Sequence, residues 1–182
     1  MKTTIALLLF TLAAAGQDRG VPTEWDIRQT LESISSHSTR LQPLLEQIHP
    51  ADWSGAPATY TQQWTSIRAQ AEAVRGSTAA LARRPEKLTA ALDTFFRLQT
   101  LETLLASLTE GVRKYQNPAL ADLLADVMSE NSAARQQLRQ YLVDLADLKE
   151  KEHQIMDQEA QRCRAMLSRQ PLNTGKKRAE AK

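Results

Sequence analysis

Apolar residues recur at alternating steps of four and three through most of this chain, the period of helices packed lengthwise against one another. Ile27, Leu31, Ile34, Ser38, Leu41, Leu45 and Ile48 trace the first seam. Thr23 with Asp26 offers a cap at its start, and Pro43 predicts a kink in its last turns. A second seam runs through Tyr60, Trp64, Ile67, Ala71, Val74, Thr78 and Leu81, opened by Thr59 and Gln62 at capping-box spacing. Leu88, Leu92, Phe95, Leu98, Leu101, Leu105, Leu108, Val112 and Tyr115 form the third, with Asp93 and Arg97, and Glu110 and Lys114, spaced to pair on its solvent side. The fourth passes through Leu120, Leu124, Val127, Asn131, Ala134, Leu138, Tyr141, Leu145 and Leu148.

The breaks between seams are equally legible. Pro50, Gly55 and Pro57 make residues 49–57 a loop, Arg84-Pro85 separates the second helix from the third, and Asn117-Pro118 supplies an N-cap and a first helical residue for the fourth. Nothing stops that fourth helix before Pro171, which predicts about 50 residues, or about 75 Å at 1.5 Å per residue, against about 26 to 31 residues for its companions. Short connections force successive helices to run antiparallel. The expected fold is therefore all-α: an up-down-up-down four-helix bundle over 23–148, with residues 149–170 as a projecting continuation of helix four and 171–182 as a disordered basic tail.

Before the first seam, Lys2, an apolar run from Ile5 to Leu12 and the small residues Ala13, Ala14 and Ala15 read as a secretory signal peptide. Its cleavage near Ala15 predicts a secreted or periplasmic product, with residues 16–22 as a short N-terminal segment. The apolar run is too short to span a bilayer, which takes about 20 residues, so no transmembrane segment is expected in the mature chain.

Removal of 15 residues from 182 leaves 167, enough for one domain with its own core. The formal charge of the whole chain is +2, too small to create a general field for nucleic acid or membrane. Lys176, Lys177, Arg178 and Lys182 against Glu180 concentrate positive charge in the tail, where weak contact with anionic envelope polymers is the one electrostatic partner expected. Cys163 is the only cysteine; no disulfide closes within the monomer, and the core alone must hold the fold.

Motifs that carry chemistry are few. Glu46-Gln47-Ile48-His49 and Glu150-Lys151-Glu152-His153 have the Glu-x-x-His spacing of di-iron bundles. In this topology, however, the two histidines fall about 50 Å apart. A covalent haem needs Cys-x-x-Cys-His, which is absent, and a noncovalent His/Met site would draw on His37, His49, Met128, Met156 and Met166. No glycine-rich phosphate loop, nucleophile elbow or zinc-protease histidine pair occurs. Neither catalytic activity nor a cofactor or metal is expected.

Trp53-Ser54-Gly55, in a turn between two helices, resembles the Trp-x-Gly turn of the small helical-hairpin proteins exported by the type VII system. The match covers those three residues and the flanking hairpin, Tyr141 is followed four later by Leu145 where that family's export signal has an acid, and no family is assigned from it. Trp53, Tyr60 and Trp64 gather at one end of the bundle as a candidate loop-end patch, more a lid over the apolar seams than a ligand site. The expected function is interaction: helix four, beyond the bundle, docks a protein partner or a second copy through Ile155, Met156, Met166 and Leu167. A small-ligand, metal or haem carrier using the bundle core or the aromatic end is the alternative reading.

Overall fold

The computed structural model describes residues 24–169, and among them every regular element is helical. The stretch at 1–15 read as a leader, the segment at 16–22, the expected Thr23 cap and the basic stretch at 171–182 lie outside the described residues. Helix α1 spans Glu24–Glu46, α2 Thr59–Arg83, α3 Leu88–Tyr115, α4 Pro118–Glu130 and α5 Ser132–Arg169, with one 3-10 turn at Pro50–Asp52 between α1 and α2. No helix among the described residues is long and apolar enough to cross a membrane.

The seams become the core. Ile27, Leu31, Ile34, Ser38, Leu41 and Leu45 are all buried on α1, and Ile48 stays buried although the helix ends at Glu46, three residues after Pro43. Ile67, Ala71, Val74 and Leu81 of α2 and Ala134, Leu138, Tyr141 and Leu145 of α5 belong to the same contiguous hydrophobic cluster, and Thr78 of α2 is also buried. Removing water from a leucine or isoleucine side chain in such a cluster contributes about 1.5–3 kcal/mol, which is how a chain without disulfides holds together.

Which helices touch defines four corners. Helix α1 packs against α2 and against α4 and α5; α3 packs against α2 and against α4 and α5; the backbones of α1 and α3 do not approach each other closely. Hydrogen bonds between neighbours record their directions. Gln63 Nε2 donates to the Leu104 carbonyl and Gln70 Nε2 to the Arg97 carbonyl, each at 3.0 Å, so an advance along α2 is a retreat along α3. Thr30 with Gln137 at 3.0 Å and Arg40 with Glu130 at 2.8 Å show the same opposition between α1 and the α4–α5 limb. Arg113 with Asp122 and Glu102 with Arg135 repeat it between that limb and α3.

Three local expectations change. The single fourth helix is broken at Asn131, whose N–H reaches back three residues to the Met128 carbonyl at 3.3 Å while its own carbonyl accepts from Arg135 N–H at 3.0 Å. The break is one residue wide, and both limbs occupy the same corner, because each packs on α1 and on α3. Asparagine is a weak helix former that readily ends one helix and begins the next. At the start of α2, Thr59 does not cap: the entry is a turn in which Tyr60 N–H donates to the Pro57 carbonyl and Thr61 N–H to the Ala58 carbonyl, and Ala58 has no side-chain acceptor. At the start of α3 the buried face is Ala91 and Thr94, with Leu88 and Phe95 only partly covered. Small residues let α3 approach its neighbours there, so the bulkier ones lie to the side. Asn117, by contrast, caps α4 as its sequence implies, accepting the Ala119 N–H at 2.9 Å ahead of Pro118.

Candidate functional site

Two regions carry the sequence-predicted residues. The first is the distal half of α5. Leu145 is its last buried residue, Leu148 is already 39% exposed, and every residue from Glu150 to Ser168 is exposed. Helix persists there with local side-chain pairs: the ion pairs Lys149 with Glu152 at 2.8 Å and Arg162 with Glu159 at 3.1 Å, and His153 beside Asp157 at 3.5 Å. Such exposed pairs contribute only tenths of a kcal/mol each, enough to bias an already helical sequence and far too little to act as a core. On this arm Ile155 is 60% exposed, Met156 68%, Met166 61% and Leu167 66%. The four form two small apolar clusters, 155–156 and 166–167, separated by about 16 Å of helix at 1.5 Å per residue. Cys163 lies between them with its thiol exposed.

The second region is the closed end of the bundle. Trp53 follows the 3-10 turn and is 7% exposed. Its ring stacks on Tyr115 at 5.8 Å and meets the edge of Tyr60 at 5.3 Å, while Tyr60 and Tyr115 are themselves 5.9 Å apart. Gly111 of α3 lets Tyr60 and Trp53 settle onto the helix backbone. The Trp53 indole N–H donates to Gln116 Oε1 at 3.0 Å, the same oxygen accepts the His49 backbone N–H at 3.3 Å, and Gln116 Nε2 donates to the Gln47 carbonyl at 2.6 Å. Trp64 stands apart from this trio, donating its indole N–H to the Leu45 carbonyl at 2.8 Å under the guanidinium of Arg68. Lys114 lies 4.9 Å above the Tyr115 ring, and the interaction with the Tyr115 side chain raises its pKa. Both indole donors are thus engaged by the protein itself, and the aromatic trio covers the ends of the seams.

A third cluster gathers around His37, a residue considered above only as a haem candidate, and brings it partners that the seam pattern does not single out. His37 Nδ1 donates to the Ser33 carbonyl at 2.9 Å, and its Nε2 accepts from Arg40 Nη2 at 2.8 Å, which is the hydrogen-bonding pattern of the neutral ring. Glu130 completes the cluster, 2.8 Å from Arg40 and 3.6 Å from His37 Nε2. Beside it His37, Ser38, Met128 and Asn131 border a cavity of about 20 Å³ with Leu98, Leu101 and Leu105. Ser38 and Asn131 therefore share one layer of the core, as their positions on the seams imply. The seam pattern could not supply His37 with its partners, since Arg40 and Glu130 sit on the solvent side of two different helices.

Of the histidines and methionines considered for a haem, His37 and Met128 border the same cavity, His49 Nδ1 donates to the Gln47 carbonyl at 3.1 Å, and Met156 and Met166 are on the exposed arm. Among the described residues no three His, Cys, Asp or Glu side chains converge as a metal site. No family model, curated protein or solved structure matches this chain.

Proposed function

We propose that this is an exported, non-enzymatic helical interaction protein, in which the packed helices serve as a support and the arm of α5 beyond Leu148 docks a protein partner or a second copy. The observation that carries the reading is the exposure of the arm: about six turns of helix in which Ile155, Met156, Met166 and Leu167 all face solvent. A helix that far from any neighbour does nothing for the core, and four large apolar side chains there are an interaction surface. Export through the leader and charge contact of the tail with anionic envelope polymers belong to the same reading. The carrier reading has less support, because the cavity inside the core is only about 20 Å³, and the spaces of about 390–440 Å³ are open grooves between α1 and its neighbours, away from the core.

Truncation after Leu148 tests the division of labour. The shortened chain is expected to lose only the arm's share of the helical signal and to keep most of its thermal stability. A photo-crosslinking side chain at Ile155 of the full protein, expressed in its native host, is expected to give covalent adducts that identify what the arm touches. Unfolding of the truncated chain, or an arm that yields no adduct, would overturn the proposal.

A further inference from the structure

The occupant of the arm can be read from its charges. Residues 150–159 hold Glu150, Glu152, Asp157 and Glu159 against Lys151, a net of −3, whereas residues 160–169 hold Arg162, Arg164 and Arg169 and no acid, a net of +3. The helix is therefore acidic along its first half and basic along its second. The seam that buries Leu138, Tyr141 and Leu145 continues at the same steps through Leu148, Glu152, Ile155, Glu159, Arg162 and Met166.

We infer that this arm pairs with the arm of a second copy of the chain, antiparallel, about a two-fold axis between Ala160 and Gln161. The inference rests on the docking reading above and names what is docked. In that register Ile155 meets the partner's Met166, Glu159 meets the partner's Arg162, and position 152 meets position 169, again acid against base. From position 152 to 169 each apolar seam residue finds an apolar one and each seam charge its opposite, because that stretch is self-complementary when read in reverse. Met156 falls on the flank beside the partner's Cys163, so the apolar strip widens where the thiol sits.

The parallel alternative fails on two counts. It sets Glu159 on Glu159 and Arg162 on Arg162 in the seam, where like charges are costly. It also forces both bundles into one space, since the arm's seam is the continuation of the face that α5 turns to its own bundle. Antiparallel arms instead hold the two bundles at opposite ends, about 38 Å apart along the axis at 1.5 Å per residue.

Sedimentation equilibrium on the exported full-length product tests the pairing, with the dissociation constant rising as salt is added. Glu159→Arg is expected to weaken the dimer at least tenfold, since it places arginine against arginine at two symmetry-related sites. Adding Arg162→Glu to it is expected to restore the affinity. A parallel dimer would be indifferent to Glu159→Arg. Nitroxide labels placed through Ser168→Cys in a Cys163→Ser background are expected to lie about 22 Å apart along the axis, against none for a parallel pair. A protein that remains monomeric to hundreds of micromolar at low salt overturns the inference. Adducts from Ile155 to a different protein would then leave the docking reading standing, and the absence of any adduct would remove both.

Discussion

The ring of Tyr60 lies so close over the backbone of Gly111 that a Cβ at that position would stand 2.6 Å from Tyr60 Cε1 and 3.0 Å from Trp53 Cζ3. Neither ring can yield freely, because both are packed against Tyr115 and the Trp53 indole is tied to Gln116. Gly111→Ala should therefore destabilise the fold by about 1–3 kcal/mol despite the better helix propensity of alanine. Thermal melts followed by near-ultraviolet circular dichroism should show a lower midpoint and a reduced aromatic signal. An unchanged midpoint would mean that the aromatic trio is looser than its geometry implies.

Gln116 is the residue on which the two loops at this end converge. Its side chain accepts from Trp53 and from the His49 backbone and donates to the Gln47 carbonyl, joining the α1–α2 connection to the end of α3. Net contributions of about 0.5–1.5 kcal/mol per hydrogen bond, at a partly solvated position, put the loss for Gln116→Ala at about 1–2 kcal/mol. Amide hydrogen exchange should speed up selectively at His49 and in the 3-10 turn at Pro50–Asp52, while the centres of α2 and α3 keep their protection. Uniform loss of protection across all helices would argue against a local clamp.

Much of this architecture was legible in the spacing of apolar residues, and the exceptions have physical reasons. The seam from Ile27 to Ile48 and the start of α4 at Asn117-Pro118 are written locally, in periodicity and in cap chemistry. The break at Asn131 is not, because Val127, Asn131 and Ala134 keep the helical step straight through it. Thr59 failed as a cap because Pro57 begins the turn two residues earlier. Gln116 has no periodic signature at all; its role comes from three partners far away in the sequence or across a loop. His37 with Arg40 and Glu130 is similar, a cluster made by the antiparallel meeting of α1 and α4. The exposure of the arm was expected from helix length. Its division into acidic and basic halves lies open in the sequence, yet it becomes informative only once the arm is known to stand clear of the bundle.

Asn131 Oδ1 is buried without a hydrogen-bond partner, beside the cavity of about 20 Å³ that Ser38 also borders. An unmet buried acceptor costs about 1–3 kcal/mol, and leucine has the same γ-branched outline without that cost. Asn131→Leu should raise the melting temperature, by about 2–4 °C per kcal/mol gained in a chain of this size. It should also favour a continuous α4–α5 helix, because leucine is the better helix former. The polar residue on an apolar seam then acts as an alignment device, and its removal should broaden the distribution of helix registers seen by exchange or by ion mobility. A strongly destabilised variant would count against this account.

Cys163 offers the most direct view of the arm. It is exposed, has no second cysteine in the chain, and stands between the two apolar clusters. In dilute protein at high salt, where paired arms are screened apart, a thiol reagent should label it at the rate of a free exposed cysteine. At low salt and high protein concentration the partner's arm should cover its flank and slow the reaction. Glu159→Arg should abolish that slowing without changing the rate in dilute protein, since it acts on the pairing and not on the thiol. Refusal to label in dilute, high-salt, folded protein would place Cys163 in a packed environment, and the exposed arm would have to be abandoned.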